Sequence, residues 1–260
     1  MSALADRLAR AGFVAADDEA RELLTATCGA PEAGRSYDPA ALERLVTRRL
    51  AGEPLAWIVG HAGFDGLEVR IDPGVYVPRW QSAELARRAA GRLPETGIAI
   101  DVCTGSGALA LALQRARPKA RVLATDIDAG AVACARANGV DALAGDLFDP
   151  LPPGLKGAVD LVVAVVPYVP TPALALLPHD TLTYESPSLY DGGPDGTDVL
   201  RRVVAGAPAF LRPGGALLLE LGADQPDLLR EQLERLGYGR IETWADEDGD
   251  VRGLEATGPR

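Results

Sequence analysis

The spacing of apolar residues in the first 50 positions is helical. Leu45 and Val46 follow Leu42 by three and four residues. This spacing places all three on one face of a helix and is typical of a helix that buries one side. Asp38-Pro39 precedes them, and this pair is a common helix start because aspartate caps a helix and proline fits its first turn. The sequence therefore predicts a small N-terminal group of helices, which is too small to be very stable alone.

The spacing changes between residues 57 and 77. Apolar residues there alternate with glycine, aspartate and charged residues, as expected for strands with one buried face. Asp65-Gly66 lies in the middle of this stretch and is a strong signal for a tight hairpin turn. We therefore expect a β-hairpin that joins the N-terminal helices to the rest of the chain.

From residue 98 onward, strand-like apolar segments alternate with helix-like ones. Strands are predicted at 98–102, 120–125, 141–144, 159–166, 216–221, 240–245 and 251–256. Helices are predicted at 108–116, 129–138, 198–210 and 225–236. This alternation is typical of an α/β fold with a largely parallel, doubly wound sheet. The chain is thus expected to divide into a helical domain at 1–52, a hairpin linker at 53–82 and a main domain at 83–260.

The composition narrows the range of functions. The 260 residues include 37 acidic and 26 basic side chains, with a net charge of -11, which argues against a nucleic-acid-binding surface. No apolar run reaches the roughly 18 residues of a membrane span, and charges near the start argue against a signal peptide, so we expect a cytoplasmic protein. With only 2 histidines and 3 scattered cysteines, we expect neither a metal site nor a Ser-His-Asp triad.

A glycine-rich segment follows the first predicted strand of the main domain. Asp101-Val-Cys-Thr-Gly105-Ser-Gly107 leads into a predicted helix, and its glycines let the backbone approach a ligand at the carboxyl end of the sheet. The spacing Gly105-x-Gly107-x-x-Ala110, with Asp126 about 20 residues further on, also fits a dinucleotide fingerprint. S-adenosylmethionine and a nicotinamide dinucleotide are therefore both candidate ligands, and a tight turn without a ligand is a third interpretation.

Two acidic positions favour S-adenosylmethionine. Asp101 ends the strand just before the glycines, where a carboxylate would repel a pyrophosphate but suit a cationic amino-acid group. Asp146-Leu147 follows the third strand, where a carboxylate and an apolar side chain could grip an adenine ring and its amine. S-adenosylmethionine carries an ammonium and a sulfonium group and no phosphate, so it is the cofactor that we expect.

Several segments resemble the HemK-type protein glutamine N5-methyltransferases, which modify peptide-chain release factors. The resemblance covers most of the chain, in particular residues 52–60, Phe64, 74–79, 101–107, Asp126, Asp146, Glu185 and 191–196. It implies a helical substrate-recognition domain, a linking β-hairpin and a seven-stranded, Rossmann-like methyltransferase domain. It also implies S-adenosylmethionine as the cofactor, and a release factor or another protein as a partner that the N-terminal domain recognises.

The resemblance assigns roles to individual residues as well. Those expected to bind the cofactor are Asp101, Cys103, Thr104, Gly105, Ser106, Gly107, Asp126, Ile127, Asp146 and Leu147. Those expected to bind the substrate are Pro78, Arg79, Tyr168 and Glu185. The catalytic positions are Val165, Val166, Pro167 and Tyr168.

The family's catalytic signature, Asn-Pro-Pro-Tyr, is altered here to Val165-Val166-Pro167-Tyr168. In the family, the asparagine oxygen and the next carbonyl accept the two N–H bonds of the substrate amide, which orients its nitrogen toward the methyl group. Val166 keeps its carbonyl and Tyr168 can stack on a planar group, but the side chain of Val165 has no acceptor. The loss of one such bond costs about 1–3 kcal/mol, which corresponds to a tenfold to hundredfold loss of rate.

Two further positions depart from the family pattern. Its Thr-Glu pair after Pro78-Arg79 is Ser82-Ala83 here, and its Glu-Pro in the long loop has become Glu-Ser-Pro at 185–187. The predicted substrate pocket therefore differs from the family at several points, whereas the predicted cofactor loop is nearly intact.

Three functions remain open from the sequence. The first is a glutamine methyltransferase that tolerates Val165. The second is a methyltransferase redirected to a small-molecule amine or hydroxyl, with Tyr168, Tyr184, His179 or Glu185 holding the acceptor or taking its proton. The third is a cofactor-binding interaction protein without catalysis. DNA adenine methyltransferases share the signature, but the acidic charge disfavours such a substrate.

Overall fold

The N-terminal helices form a cluster with its own core. A computed structural model describes residues 2–28, 38–177, 179–222 and 224–259. The side chains of Leu8, Leu23 and Val46 are fully buried in one hydrophobic cluster. Asp38 caps the third helix by accepting the N–H of Ala40 at 2.8 Å. The prediction of a helical N-terminal segment is confirmed. The first four helices are α1 (Ser2–Arg10), α2 (Ala16–Thr27), α3 (Pro39–Leu50) and α4 (Leu55–Val59).

A short hairpin follows, but it begins later than the alternation predicts. Strands β1 (His61–Phe64) and β2 (Leu67–Arg70) pair antiparallel around the Asp65-Gly66 turn. The expected strand at Trp57 is wrong, because that residue lies in α4. The apolar run after Pro54 closes a helical turn that ends at Gly60, whose φ is 86°. A short apolar run does not by itself distinguish a strand from a buried helix.

The main domain is a seven-stranded sheet with the order β5-β4-β3-β6-β7-β9-β8. The five strands from β5 to β7 are parallel, while β9 pairs antiparallel with β7 and with β8. The bounds of these strands are β3 (Ile98–Val102), β4 (Arg121–Asp126), β5 (Asp141–Ala144), β6 (Val159–Ala164), β7 (Leu211–Glu220), β8 (Gly239–Ala245) and β9 (Val251–Thr257). The predicted doubly wound sheet is therefore confirmed.

Helices cover both faces of this sheet, so its central strands are buried on both sides. Along β3, Ala99 packs into one hydrophobic core, whereas Ile100 and Val102 pack into the other, as the alternation of side chains across a strand requires. The remaining helices are α5 (Ser82–Arg92), α6 (Ala108–Ala116), α7 (Ala129–Ala137), α8 (His179–Tyr184), α9 (Asp198–Gly206) and α10 (Gln225–Arg235). No helix in the described ranges combines the length and hydrophobicity that a membrane span requires.

Among the strands of the sheet, two boundaries differ from the predictions by two residues or more, and the helix predicted at 198–210 ends at Gly206. Strand β6 ends at Ala164 rather than at residue 166, so Val165 and Val166 lie beyond its carboxyl end. The seventh strand begins at Leu211 rather than at 216 and runs through Pro213. It does so with a shift in its register against β6 between Val159 and Leu161, because an irregular strand end tolerates proline and glycine.

Candidate active site

The glycine segment forms a tightly curved loop between β3 and α6. Three of its residues have positive φ: Cys103 at 60°, Gly105 at 56° and Gly107 at 84°. A Cβ atom on Gly107 would lie 2.8 Å from a methyl group of Val140, so only glycine fits where the loop enters the helix. Cys103 is a rare non-glycine residue in the left-handed region, and such local strain tends to occur at functional sites.

Asp101 is the buried acid at the start of this loop. Its side chain is 1% exposed and accepts a hydrogen bond of 2.6 Å from the hydroxyl of Thr104. Burial raises the pKa of Asp101 to about 7, the Thr104 hydrogen bond opposes the rise, and nearby Asp126 adds to it. A cationic ligand group beside this carboxyl would favour its charged form.

Asp126 ends the neighbouring strand β4 and is held in place by backbone donors. Its two oxygens accept the N–H of Gly105 at 2.8 Å and the N–H of Asp128 at 2.9 Å. Burial raises the pKa of Asp126, although these hydrogen bonds lower it. The carboxylate therefore ties the glycine loop to the end of β4 and still faces the cavity beside it.

A cavity of about 510 Å³ lies over the carboxyl ends of these strands. Most of the predicted site residues line it, namely Pro78, Arg79, Asp101, Cys103, Thr104, Gly105, Ser106, Asp126, Ile127, Val165, Val166, Pro167 and Tyr168. The fold thus brings the predicted cofactor loop and the predicted catalytic segment to the two sides of one cavity.

Four predicted site residues do not line this cavity. Gly107 forms the N-cap of α6. Asp146 pairs with a guanidinium nitrogen of Arg202 at 2.5 Å, and Leu147 is buried in the core beneath. Glu185 lines a second, smaller cavity next to the N-terminal helices.

The predicted catalytic segment is backed by a buried carboxylate that the sequence analysis did not single out. The hydroxyl of Tyr168 donates to Glu220 at 3.2 Å, and Ser82 also bonds this carboxylate. Burial raises the pKa of Glu220 and also that of Tyr168, and the charge of Glu220 raises the pKa of Tyr168 further. Glu220 ends strand β7, so its position, which parallels those of Asp101 and Asp126, is the signal that could have identified it.

Arg79 and Glu185 meet through a tyrosine. Arg79 donates to the hydroxyl of Tyr190 at 2.8 Å and lies 3.6 Å from a Glu185 oxygen, while the Tyr190 hydroxyl donates to Glu185. This cluster joins the segment before α5 to the long loop after β6. Glu185 is therefore engaged by this chain's own side chains.

The long loop contains two further candidate residues, Tyr184 and His179. The Tyr184 hydroxyl donates to the carbonyl of Ala51 at 2.9 Å, which connects this loop to the end of α3. The side chain of His179 lies outside the described residues.

The chemistry of the lining fits S-adenosylmethionine better than a dinucleotide. Two carboxylates, Asp101 and Asp126, lie at the glycine loop, and both basic residues of the described lining, Arg79 and Arg252, belong to other segments. A pyrophosphate would meet like charge at this loop, whereas an ammonium or sulfonium group would meet opposite charge.

Known proteins resemble this chain over most of its length. The methyltransferase domain family matches residues 99–178. The release factor glutamine methyltransferase of Geobacter sulfurreducens is 34% identical, over 93% of this chain and 89% of that protein. The protein of the same name from Moorella thermoacetica is 40% identical, over 78% of this chain and 75% of that protein.

A solved structure also resembles this chain. It is the E. cuniculi Mtq2-Trm112 complex, described as responsible for the methylation of the eRF1 translation termination factor. The matched chain is 25% identical with a TM-score of 0.53, over 71% of this chain and 99% of that one. These similarities decide between the two cofactors in favour of S-adenosylmethionine. The chain therefore belongs to the release factor glutamine methyltransferases, a family of S-adenosylmethionine-dependent enzymes.

Proposed function

We propose that this protein methylates the side-chain amide nitrogen of a glutamine in a peptide-chain release factor. The observation that carries the proposal is the similarity, over 93% of the chain, to a protein named for that reaction. The cavity supports the proposal, because the predicted cofactor residues and the altered signature segment line the same cavity of about 510 Å³. S-adenosylmethionine, when bound, supplies the electrophilic methyl group.

The cofactor contacts are assigned from the positions of the acids. Asp126 would accept hydrogen bonds from the ribose hydroxyls, and Asp101 with the glycine loop would hold the methionine end. Asp146 and Leu147 are proposed for the adenine, with Ile127, whose side chain is 74% exposed, as an apolar face. Arg202 now pairs with Asp146, but its side chain is 55% exposed and can turn away at little cost.

On the other side of the cavity, Val165–Tyr168 would hold the acceptor. The carbonyl of Val166 accepts one N–H of the substrate amide, and the ring of Tyr168 packs against the amide plane. The hydrogen bond to Glu220 fixes the orientation of that ring. The apolar side chains of Val165 and Pro167 exclude water, which strengthens the remaining polar contacts.

The proposed division of labour follows the domains expected at 1–52, 53–82 and 83–260. The N-terminal helices have a core of their own, and the lining residues of the large cavity begin only at Phe64. We assign recognition of the protein substrate to the N-terminal helices. The second cavity, which borders both these helices and Arg79, lies between that surface and the site of reaction.

Methyl transfer to a release factor and to a Gly-Gly-Gln peptide tests the proposal. The expected result is one added methyl group on the glutamine amide, with no transfer to a Gly-Gly-Glu control peptide. The apolar side chain of Val165 favours a second candidate, an acceptor that needs less activation, such as a small amine or hydroxyl. Binding of S-adenosylmethionine without transfer to either glutamine substrate would contradict the release factor assignment.

A further inference from the structure

One residue that lines the large cavity has a buried side-chain oxygen without a hydrogen-bond partner. Within the described residues, two buried side-chain atoms are unpartnered: Oε1 of Gln81 and Oγ1 of Thr125. Gln81 lines the large cavity together with Val165 and Tyr168, whereas Thr125 is not among its lining residues. Because an unpaired buried acceptor destabilises a protein, folded proteins keep few of them.

A helix-capping role does not account for Gln81. The residue occupies the N-cap position of α5, but its side chain makes no capping hydrogen bond. Its backbone is helical there, with φ -59° and ψ -34°, and glutamine is not a favoured cap. The amide group is therefore not held by the element to which it belongs.

Three other polar side chains of the cavity lining bond one another. Ser82 bonds the Glu220 carboxylate, and Tyr168 donates to the same carboxylate at 3.2 Å. The charge of Arg252 further favours the ionised form of Glu220. Among the described residues that line the cavity, Gln81 has the one buried side-chain oxygen without a hydrogen-bond partner.

We infer that the side-chain amide of Gln81, whose carbonyl oxygen is enclosed in the ligand-free protein, turns toward the cavity and accepts the substrate N–H that Val165 cannot accept. This inference rests on the proposed function, because it requires a primary amide in the cavity. A glutamine side chain presents the same amide oxygen as the asparagine of the family signature, although it comes from the segment before α5 rather than from the end of β6. With the carbonyl of Val166, it provides an acceptor for each of the two N–H bonds.

The test compares Gln81→Leu with Thr125→Val, the matched control. Both changes remove an unpartnered buried oxygen, so both should raise the Tm of the ligand-free protein by about 2–4 °C. Only Gln81→Leu should lower kcat/KM for the Gly-Gly-Gln peptide, by about tenfold to a hundredfold. It should also weaken peptide binding in the presence of S-adenosylhomocysteine, while S-adenosylhomocysteine itself binds as before.

Rescue provides the second arm. Val165→Asn should raise kcat/KM in the wild-type background and by a larger factor in the Gln81→Leu background, because the two side chains serve the same N–H. Gln81→Met, which keeps the length of the side chain, should behave like Gln81→Leu and serves if the leucine variant folds poorly.

The outcomes separate the two proposals. If the wild type methylates the peptide and both Gln81 variants remain within twofold of it, the inference is wrong and the proposed function stands. A lowered Tm together with lost S-adenosylhomocysteine binding in both variants would show a structural role and would also overturn it. If the wild type transfers no methyl group to glutamine, the proposed function fails and the inference fails with it.

Discussion

At the scale of single residues, the site consists of local motifs and of groups that meet only in the fold. Asp101, Gly105 and Asp126 lie at or just after the carboxyl ends of two neighbouring strands, so periodicity and glycine spacing were sufficient to predict that they border one cavity. Glu220 and Gln81 come from elements far apart in sequence, and neither belongs to a short motif. Chain order does not show which strand ends become neighbours, and this is why the second wall of the cavity was only partly predicted.

The raised pKa of Asp101 predicts a pH-dependent affinity for S-adenosylmethionine. In the free protein the carboxyl titrates at about 7, and it must be ionised to face the methionine ammonium. Affinity should therefore fall by up to tenfold for each pH unit below about 7 and level off above it. Titration calorimetry between pH 5.5 and 7.5 measures this dependence.

Proton release on cofactor binding provides a second, independent measurement of the ionisation of Asp101. Below pH 7, binding should release up to one proton, which appears as a dependence of the heat on the ionisation enthalpy of the buffer. Asp101→Asn should flatten the pH profile at a lower affinity. A flat profile in the wild type would show that Asp101 does not face the cationic end of the cofactor.

At the scale of elements, the sequence predicts which strands and helices are present better than it predicts where the strands end. The parallel strands are nearly continuous apolar runs, so their presence is plain from sequence, but the apolar run at 159–166 does not show where pairing stops. Pairing ends at Ala164, and the two valines after it belong to the cavity instead. Likewise, the run at 55–59 is apolar throughout, and only the positions of Pro54 and Gly60 distinguish its helical turn from a strand.

At the junction of the glycine loop with α6, the addition of one methyl group should strongly destabilise the protein. Gly107 combines a φ of 84° with a Cβ position 2.8 Å from Val140, so Gly107→Ala should lower the free energy of unfolding by about 2–5 kcal/mol. The matched control is Gly139→Ala, which has a φ of 88° with nothing within 4 Å. It should lose about 1–2 kcal/mol.

Denaturant unfolding measures both changes. Gly107→Ala should also weaken S-adenosylmethionine binding because α6 must move, whereas the control should bind normally. Equal losses of stability in the two variants would mean that the contact with Val140 and Ala135 relaxes freely.

At the scale of the whole molecule, the cavity is tied to both cores of the main domain. Strands β3 and β6 contribute to the clusters on the two faces of the sheet, and their carboxyl ends border the cavity. A ligand held there stabilises the sheet that both cores share. S-adenosylmethionine at a hundredfold its Kd should add about 2.7 kcal/mol to the free energy of unfolding.

That gain corresponds to a rise in Tm of about 5–11 °C, which calorimetric scans would detect. NAD at the same concentration is the control and should leave the Tm unchanged. An equal shift with NAD would contradict the electrostatic argument from Asp101 and Asp126.

Trp80 lies in the sequence between Arg79 and Gln81, two residues that line the cavity, and can serve as an optical probe. The chain has 3 tryptophans, and Trp57 and Trp244 are both buried at 7% exposure, whereas Trp80 is 78% exposed. A collisional quencher such as acrylamide therefore reaches chiefly Trp80. Its fluorescence would report the arrival of a protein loop at the cavity in real time, without a label and before any methyl group is transferred.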